Sequence, residues 1–408
     1  MNAHLETNES PLVVHLIPSA LGRGAQRAAR MLVDRLDESG VIRHRLLSLF
    51  AGPHEVEVDL NLGHNAPGHT AEGFDLRVAR ALRTELNRLK PAVVVAHGGD
   101  PMKYAVPATI GTGRSLVYCV IGTYAGPPSP LHEWAWRRIM SRADLVVAVG
   151  DEVRDECTRR FGVAAHRAIV IPNGRDPSVF HPPSVVADAW TTLIFVGALT
   201  AQKQPDRFVE VVRRLRAEGH SFRAVLVGDG PLSRPLAAMA ADSGVELLGA
   251  RSDVPELLRQ ADVLVFTSRP TGEGMPGVLI EAGLSGLAVV STPVPGAEAV
   301  LDHGHTGLIV DDGGVGALVQ AVGQLLDDPE RRIAMGSAAR HRCETEFTLD
   351  LMAQRWRAAL ELLVCAQGGS GGWAIPPCRP LLARRPALAR SVSAFRRAVR
   401  ARRGSSHS

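Results

Sequence analysis

A chain of 408 residues is long enough for two domains, and its 45% apolar content supports real cores that, with aromatics at only 4%, must be aliphatic. No stretch approaches the roughly 20 apolar residues of a membrane span, and Val13–Ile17 is too short for a signal-peptide core, so a cytoplasmic chain is expected. The net charge of +4 is unevenly placed: residues 379–408 hold nine arginines and no acid, which leaves a mildly acidic body unlike a basic nucleic-acid-binding surface.

Short aliphatic runs alternate with helix-length amphipathic segments. In chain order the predicted buried strands of the first half are Leu12–Ile17, Ala92–Ala96, Leu116–Val120, Leu145–Val149 and Ala168–Ile171. Those of the second half are Leu193–Val196, Ala224–Val227, Val263–Phe266 and Ala288–Val290. Continuous aliphatic runs of this length fit parallel strands covered on both faces. Alternation with helices predicts an α/β protein of two doubly wound, Rossmann-like domains. The join lies near Pro172–Thr191, where Asn173-Gly174, Pro177, Pro182 and Pro183 interrupt regular structure. The expected division is a domain over residues 1–180, a second over 181–346, a C-terminal helix over 347–365 and a Gly/Pro/Arg-rich tail over 366–408. A ligand would bind in a cleft between the domains, at the carboxyl ends of the strands. Cys119, Cys157, Cys343, Cys365 and Cys378 form no C-x-x-C pair and read as free thiols; no D-x-D announces a divalent metal site.

The run from Glu273 to Gly286 carries the most chemistry. It sets Glu273 and Glu281 eight positions apart around Gly274-Met275-Pro276-Gly277-Val278. Pro276 suits a first helical position, and the free amides after it, with the helix dipole, attract a phosphate. Eight helical residues span at most about 12 Å. That reach suits a nucleotide-sugar, with Glu273 at sugar hydroxyls, the Gly277 and Val278 amides at a diphosphate and Glu281 at the ribose.

This stretch resembles the E-x7-E signature of retaining GT-B glycosyltransferases of the family-4, group 1 type. The segment Ile171-Pro-Asn-Gly-Arg175-Asp176…Phe180 resembles that family's interdomain element, with Arg175 in the variable place. Gly197-Ala198…Lys203 resembles the G-R-L-x-x-x-K loop that grips the donor diphosphate; Lys203 is in place, Ala198 stands where arginine is usual, and Arg269 is a candidate substitute. Gly228-Asp229-Gly230-Pro231 resembles the G-x-G-P turn, and Leu247-Leu-Gly249 the segment whose backbone reads the base.

Gly22-Arg23-Gly24 follows the first strand. It fails as a dinucleotide fingerprint, because Arg27 takes the third glycine's place, and better resembles the Gly-rich turn facing donor phosphate and acceptor. His97 ends a strand and is a candidate for an acceptor hydroxyl, whereas His15, inside a strand run, reads as a satisfied core residue. Ile121 takes the place of the family's histidine near the donor sugar, with His97 or Thr123 as candidates to compensate.

The resemblance implies a metal-independent retaining transfer of a hexose-type sugar from a nucleoside diphosphate to an acceptor hydroxyl, on a small or lipid-linked molecule. Glu273, Lys203 and His97 are the catalytic candidates. Gly22, Gly24, Gly228, Gly249, Gly274, Met275, Pro276, Gly277, Val278 and Glu281 are the donor-binding ones. No metal and no cofactor beyond the donor co-substrate are expected, and no nucleic acid. The alternatives are a non-catalytic nucleotide-sugar-binding partner of an active transferase, or an epimerase on the same fold. In the tail, Leu388, Val392, Phe395 and Val399 fall on one helical stripe. That pattern fits peripheral contact with an anionic membrane, and a solvated tail is the plainer reading.

Overall fold

The computed structural model describes residues 10–65, 73–124, 129–183, 190–310 and 314–367. Its contacts divide the chain into two units, one of residues 1–121, 127–171 and 352–408 and the other of residues 122–126 and 172–351. The boundary at Ile171/Pro172 opens the proline-rich stretch read as the join. The amphipathic tail stripe and Cys378 lie outside the described residues.

The first unit holds seven parallel strands: β1 (Leu12–Ser19), β2 (Arg43–Phe50), β3 (Leu60–His64), β4 (Val93–His97), β5 (Ser115–Val120), β6 (Leu145–Ala148) and β7 (Ala168–Val170). Their order is β3-β2-β1-β4-β5-β6-β7. The second unit holds β8 (Thr192–Val196), β9 (Arg223–Val227), β10 (Glu246–Gly249), β11 (Val263–Phe266), β12 (Ala288–Ser291) and β13 (Leu308–Ile309), in the order β10-β9-β8-β11-β12-β13. All nine predicted strands are present. The four missed ones show why periodicity overlooked them. β2 opens on Arg43-His44-Arg45, β3 and β10 are partly exposed edges, and β13 has two residues. A strand needs a long apolar run only where both faces are buried.

Strand order reverses beside β1 in the first unit and beside β8 in the second. Ligands of open parallel sheets bind at such switch points, beyond the strands' carboxyl ends. In the second unit that places the loops after β8 and β11 together. The helix Pro205–Ala217 covers the sheet with Phe208, Val209, Val211, Val212 and Leu215, all buried. Phe208 meets Phe195 of β8, ring centres 5.9 Å apart, within a largely aliphatic core that also takes in Phe222. The helix Gly277–Leu284 is apolar nearly all round, burying Leu279, Ile280, Ala282, Gly283 and Leu284. Only its start, Gly277-Val278, and Glu281 reach partial exposure.

Candidate active site

After β8 the chain makes a tight turn through Gln202, Lys203 and Gln204. Gln204 adopts a left-handed backbone (φ 47°), one of two non-glycine residues to do so among the described residues. The fully buried Thr267 hydroxyl, just past β11, holds the turn by donating to the carbonyls of Lys203 and Gln204, each at 2.9 Å. Gln202 bonds back to the Arg269 carbonyl at 3.2 Å. A strained residue persists only where its surroundings over-determine it. Here the over-determination aims Lys203: its Nζ donates to Glu273 Oε1 at 2.6 Å and lies 5.1 Å from the centre of the Phe266 ring. The ion pair is largely shielded, at 24% and 12% side-chain exposure.

The main chain around Glu273 is equally fixed. The Thr123 amide and hydroxyl both donate to the Glu273 carbonyl, at 3.2 Å each, and the Gly272 amide donates to the Thr123 hydroxyl at 3.3 Å. Gly122 and Gly274 form an antiparallel bridge beside them. Thr123 thus acts on the backbone of the Glu273 loop. Asn173 fixes Met275, two residues beyond Glu273, donating Nδ2 to its carbonyl at 2.9 Å. The side chain of Met275 is itself buried. Pro276 precedes the helix as its cap, with extended backbone, and is not its first residue; Gly277 is. Glu281 then lies one turn in. It accepts from Arg175 Nε at 2.7 Å, a partner that sequence reasoning passed over as the occupant of a variable position. Arg175 is followed directly by Asp176, so no local pattern announces a carboxylate partner 106 positions away.

Three glycines of the second unit form a backbone cluster. The Gly228 amide donates to the Gly249 carbonyl at 2.8 Å, and the Gly197 amide to the Val227 carbonyl at 3.0 Å. A β-carbon at Gly228 would fall 1.8 Å from the Gly197 carbonyl oxygen. These glycines allow the turns to close against one another. Ala198 and Arg269 are both exposed.

In the first unit, the Gly22 amide donates to Glu55 Oε2 at 2.8 Å. A carboxylate therefore takes the amide read as facing phosphate. Gly24 opens the helix Gly24–Asp37, capped by Arg23 and with open space around its α-carbon. His97, at the end of β4, is buried, and its Nε2 lies 3.0 Å from His15 Nδ1. His15 Nε2 in turn lies 3.1 Å from His44 Nδ1. β2, β1 and β4 are neighbours, and the parallel registers put the three rings in a diagonal row on one face of the sheet. Burial lowers all three pKa values, His15 well below the usual 6.5 and both His44 and His97 to about 4. His15 is the satisfied core residue expected. His97 has one nitrogen committed to His15, and its Nδ1 takes no protein partner among the described residues.

Among the described residues, no group of three or more His, Cys, Asp or Glu is arranged to hold a metal ion, and no helix is long and apolar enough to cross a membrane.

Comparison with known proteins bears on this arrangement. The family described as Glycosyl transferases group 1 matches residues 191–328, and Glycosyltransferase Family 4 matches residues 22–179. A Mycobacterium tuberculosis protein named GDP-mannose-dependent alpha-(1-6)-phosphatidylinositol monomannoside mannosyltransferase is 29% identical over 246 residues. The alignment covers 55% of this chain and 64% of that protein, so the chain spans less than two thirds of that relative's length. The alpha-maltose-1-phosphate synthase of Mycolicibacterium smegmatis is 27% identical over 74% of this chain and 81% of its own. Among solved structures, Anabaena HepE in complex with UDP and glucose aligns at a TM-score of 0.69 and 20% identity, over 86% of this chain and 99% of that one. The sucrose-phosphate synthase of Thermosynechococcus elongatus aligns at a TM-score of 0.74 and 15% identity, over 87% and 100%. The fold is GT-B, and the chain belongs to the group 1, family-4 glycosyltransferases.

Proposed function

We propose that this chain transfers a hexose-type sugar, with retention, from a nucleoside diphosphate to an acceptor hydroxyl. The observation that carries the reading is the Lys203–Glu273 pair, held beside the Gly277 helix start at the switch point of the second sheet. Glu273 holds sugar hydroxyls. The Gly277 and Val278 amides, the helix dipole and Lys203 take the charge that builds on the leaving diphosphate. Lys203 neutralises Glu273, so this carboxylate does not repel an incoming dianion. No side chain is cast as a general base. In the front-face mechanism implied by the family resemblance, the leaving diphosphate accepts the acceptor's proton, and the protein's contribution is positioning and charge stabilisation. His97 is assigned to the acceptor hydroxyl through its uncommitted Nδ1.

A metal ion has no part in this reading. The relatives' names point to GDP-mannose in one case and a UDP complex in another, so guanine and uracil are both tested. An acceptor of the lipid-linked or small-molecule class is consistent with those names. The test is turnover of a donor panel by the native chain and by Glu273→Gln. Turnover should fall roughly 100-fold in the variant while nucleotide affinity stays within a few-fold. EDTA should leave the native rate unchanged. Equal turnover by variant and native chain would remove Glu273 from the sugar site.

A further inference from the structure

Both signature glutamates carry a cation in the second unit, Glu273 with Lys203 and Glu281 with Arg175. The second pair sits in an unusual place. Arg175 is 5% exposed, and its backbone is tied on both sides, donating to the Phe347 carbonyl at 2.9 Å and accepting from the Leu349 amide at 2.8 Å. Nε reaches Glu281 Oε1 at 2.7 Å and Nη1 reaches the Gly174 carbonyl at 3.0 Å. Nη2 lies against the α-carbon of Gly277, where a β-carbon would sit only 1.8 Å away.

Gly277 is the first residue of its helix, the end that carries partial positive charge. A full cation there has the wrong sign for helix stability. Glu281 offsets it with one oxygen only; Oε2 takes no partner among the described residues, and neither do the amides of Gly277 and Val278. A buried cation, two unbonded amides and one uncommitted carboxylate oxygen thus collect at one helix start. That set matches an oxyanion next to a hydroxyl-bearing ring.

We propose that Arg175 is a positioning residue for nucleoside diphosphate binding. Its charge reinforces the helix start that receives the diphosphate. Its Nε holds one oxygen of Glu281, so that the other meets the ribose hydroxyls. The inference rests on the donor reading above and deepens it by adding a cation that Ala198 does not supply.

Calorimetry of the full chain with UDP, GDP, ADP and inorganic pyrophosphate tests it, with melting temperatures measured alongside. Arg175→Met should weaken both pyrophosphate and the preferred nucleotide by about tenfold. Glu281→Gln should weaken the nucleotide alone. Arg175→Lys, which keeps the charge and loses the Nε contact, should restore pyrophosphate binding more fully than nucleotide binding, and it decides the matter if Arg175→Met does not fold. Native-like affinities for every ligand in either Arg175 variant overturn this inference alone. A native chain that binds none of the four ligands overturns the donor reading and this inference together.

Discussion

Single residues set the proposed donor site through backbone geometry as much as through charge. Gly228 shows it most plainly. Its φ of 141° lies in the region that favours glycine, and a β-carbon would collide with the Gly197 carbonyl. Gly228→Ala should therefore cost about 2–4 kcal/mol, read as a lower urea midpoint with unchanged slope. A midpoint within error of the native chain would mean that the turn relaxes freely. The residues legible from sequence were those whose chemistry is declared by type and spacing: Glu273, Lys203 and the glycines around them. Arg175 and Thr267 were not, because their roles depend on what they touch across long sequence separations. Gly22 was legible as a turn, but the Glu55 carboxylate that takes its amide lies 33 residues away and no local pattern announces it.

At the scale of elements, the row of histidines across β2, β1 and β4 makes the first sheet sensitive to acid. Each ring stays neutral in the fold down to about pH 4 or lower, while an unfolded histidine takes up its proton near 6.5. Above pH 6.5 the full stability is present. As pH falls from 6.5 towards 4 the unfolded chain binds protons that the folded chain refuses, and stability declines. The loss is on the order of 3 kcal/mol for each of His44 and His97. Urea titrations at pH 7, 5.5 and 4.5 should show the midpoint falling, and His44→Phe should flatten part of the slope. A pH-independent midpoint would contradict the buried neutral row. The strands that hold these rings were only partly visible beforehand. β1 and β4 are aliphatic runs, whereas β2 opens with exposed Arg43 and Arg45 on either side of buried His44, ahead of its continuously buried half.

For the whole molecule, the sequence shows two series of parallel strands because aliphatic runs recur at βαβ spacing, and both sheets are present with the same reversal of strand order. What the pattern could not supply were edge strands such as β3 and β10, whose partial exposure removes the apolar signature. The two-unit chain also offers a global test of donor chemistry. A ligand that binds only the folded state raises stability with its concentration. Preferred nucleotide sugars should raise the melting temperature by a few degrees at about 100 times the dissociation constant, and non-cognate sugars should do so less. A flat response across UDP-, GDP- and ADP-sugars would argue against a nucleotide-sugar site.

The contact between Arg175 and Gly277 also constrains how this sequence can drift. A guanidinium resting on a bare α-carbon makes the two positions a single choice, although 101 intervening residues separate them in the chain. A β-carbon at 277 forces the guanidinium to shift, and a short residue at 175 removes the group that packs on that α-carbon. A change at either site displaces or unseats its counterpart, so the pair should tend to be inherited, and is best engineered, as one.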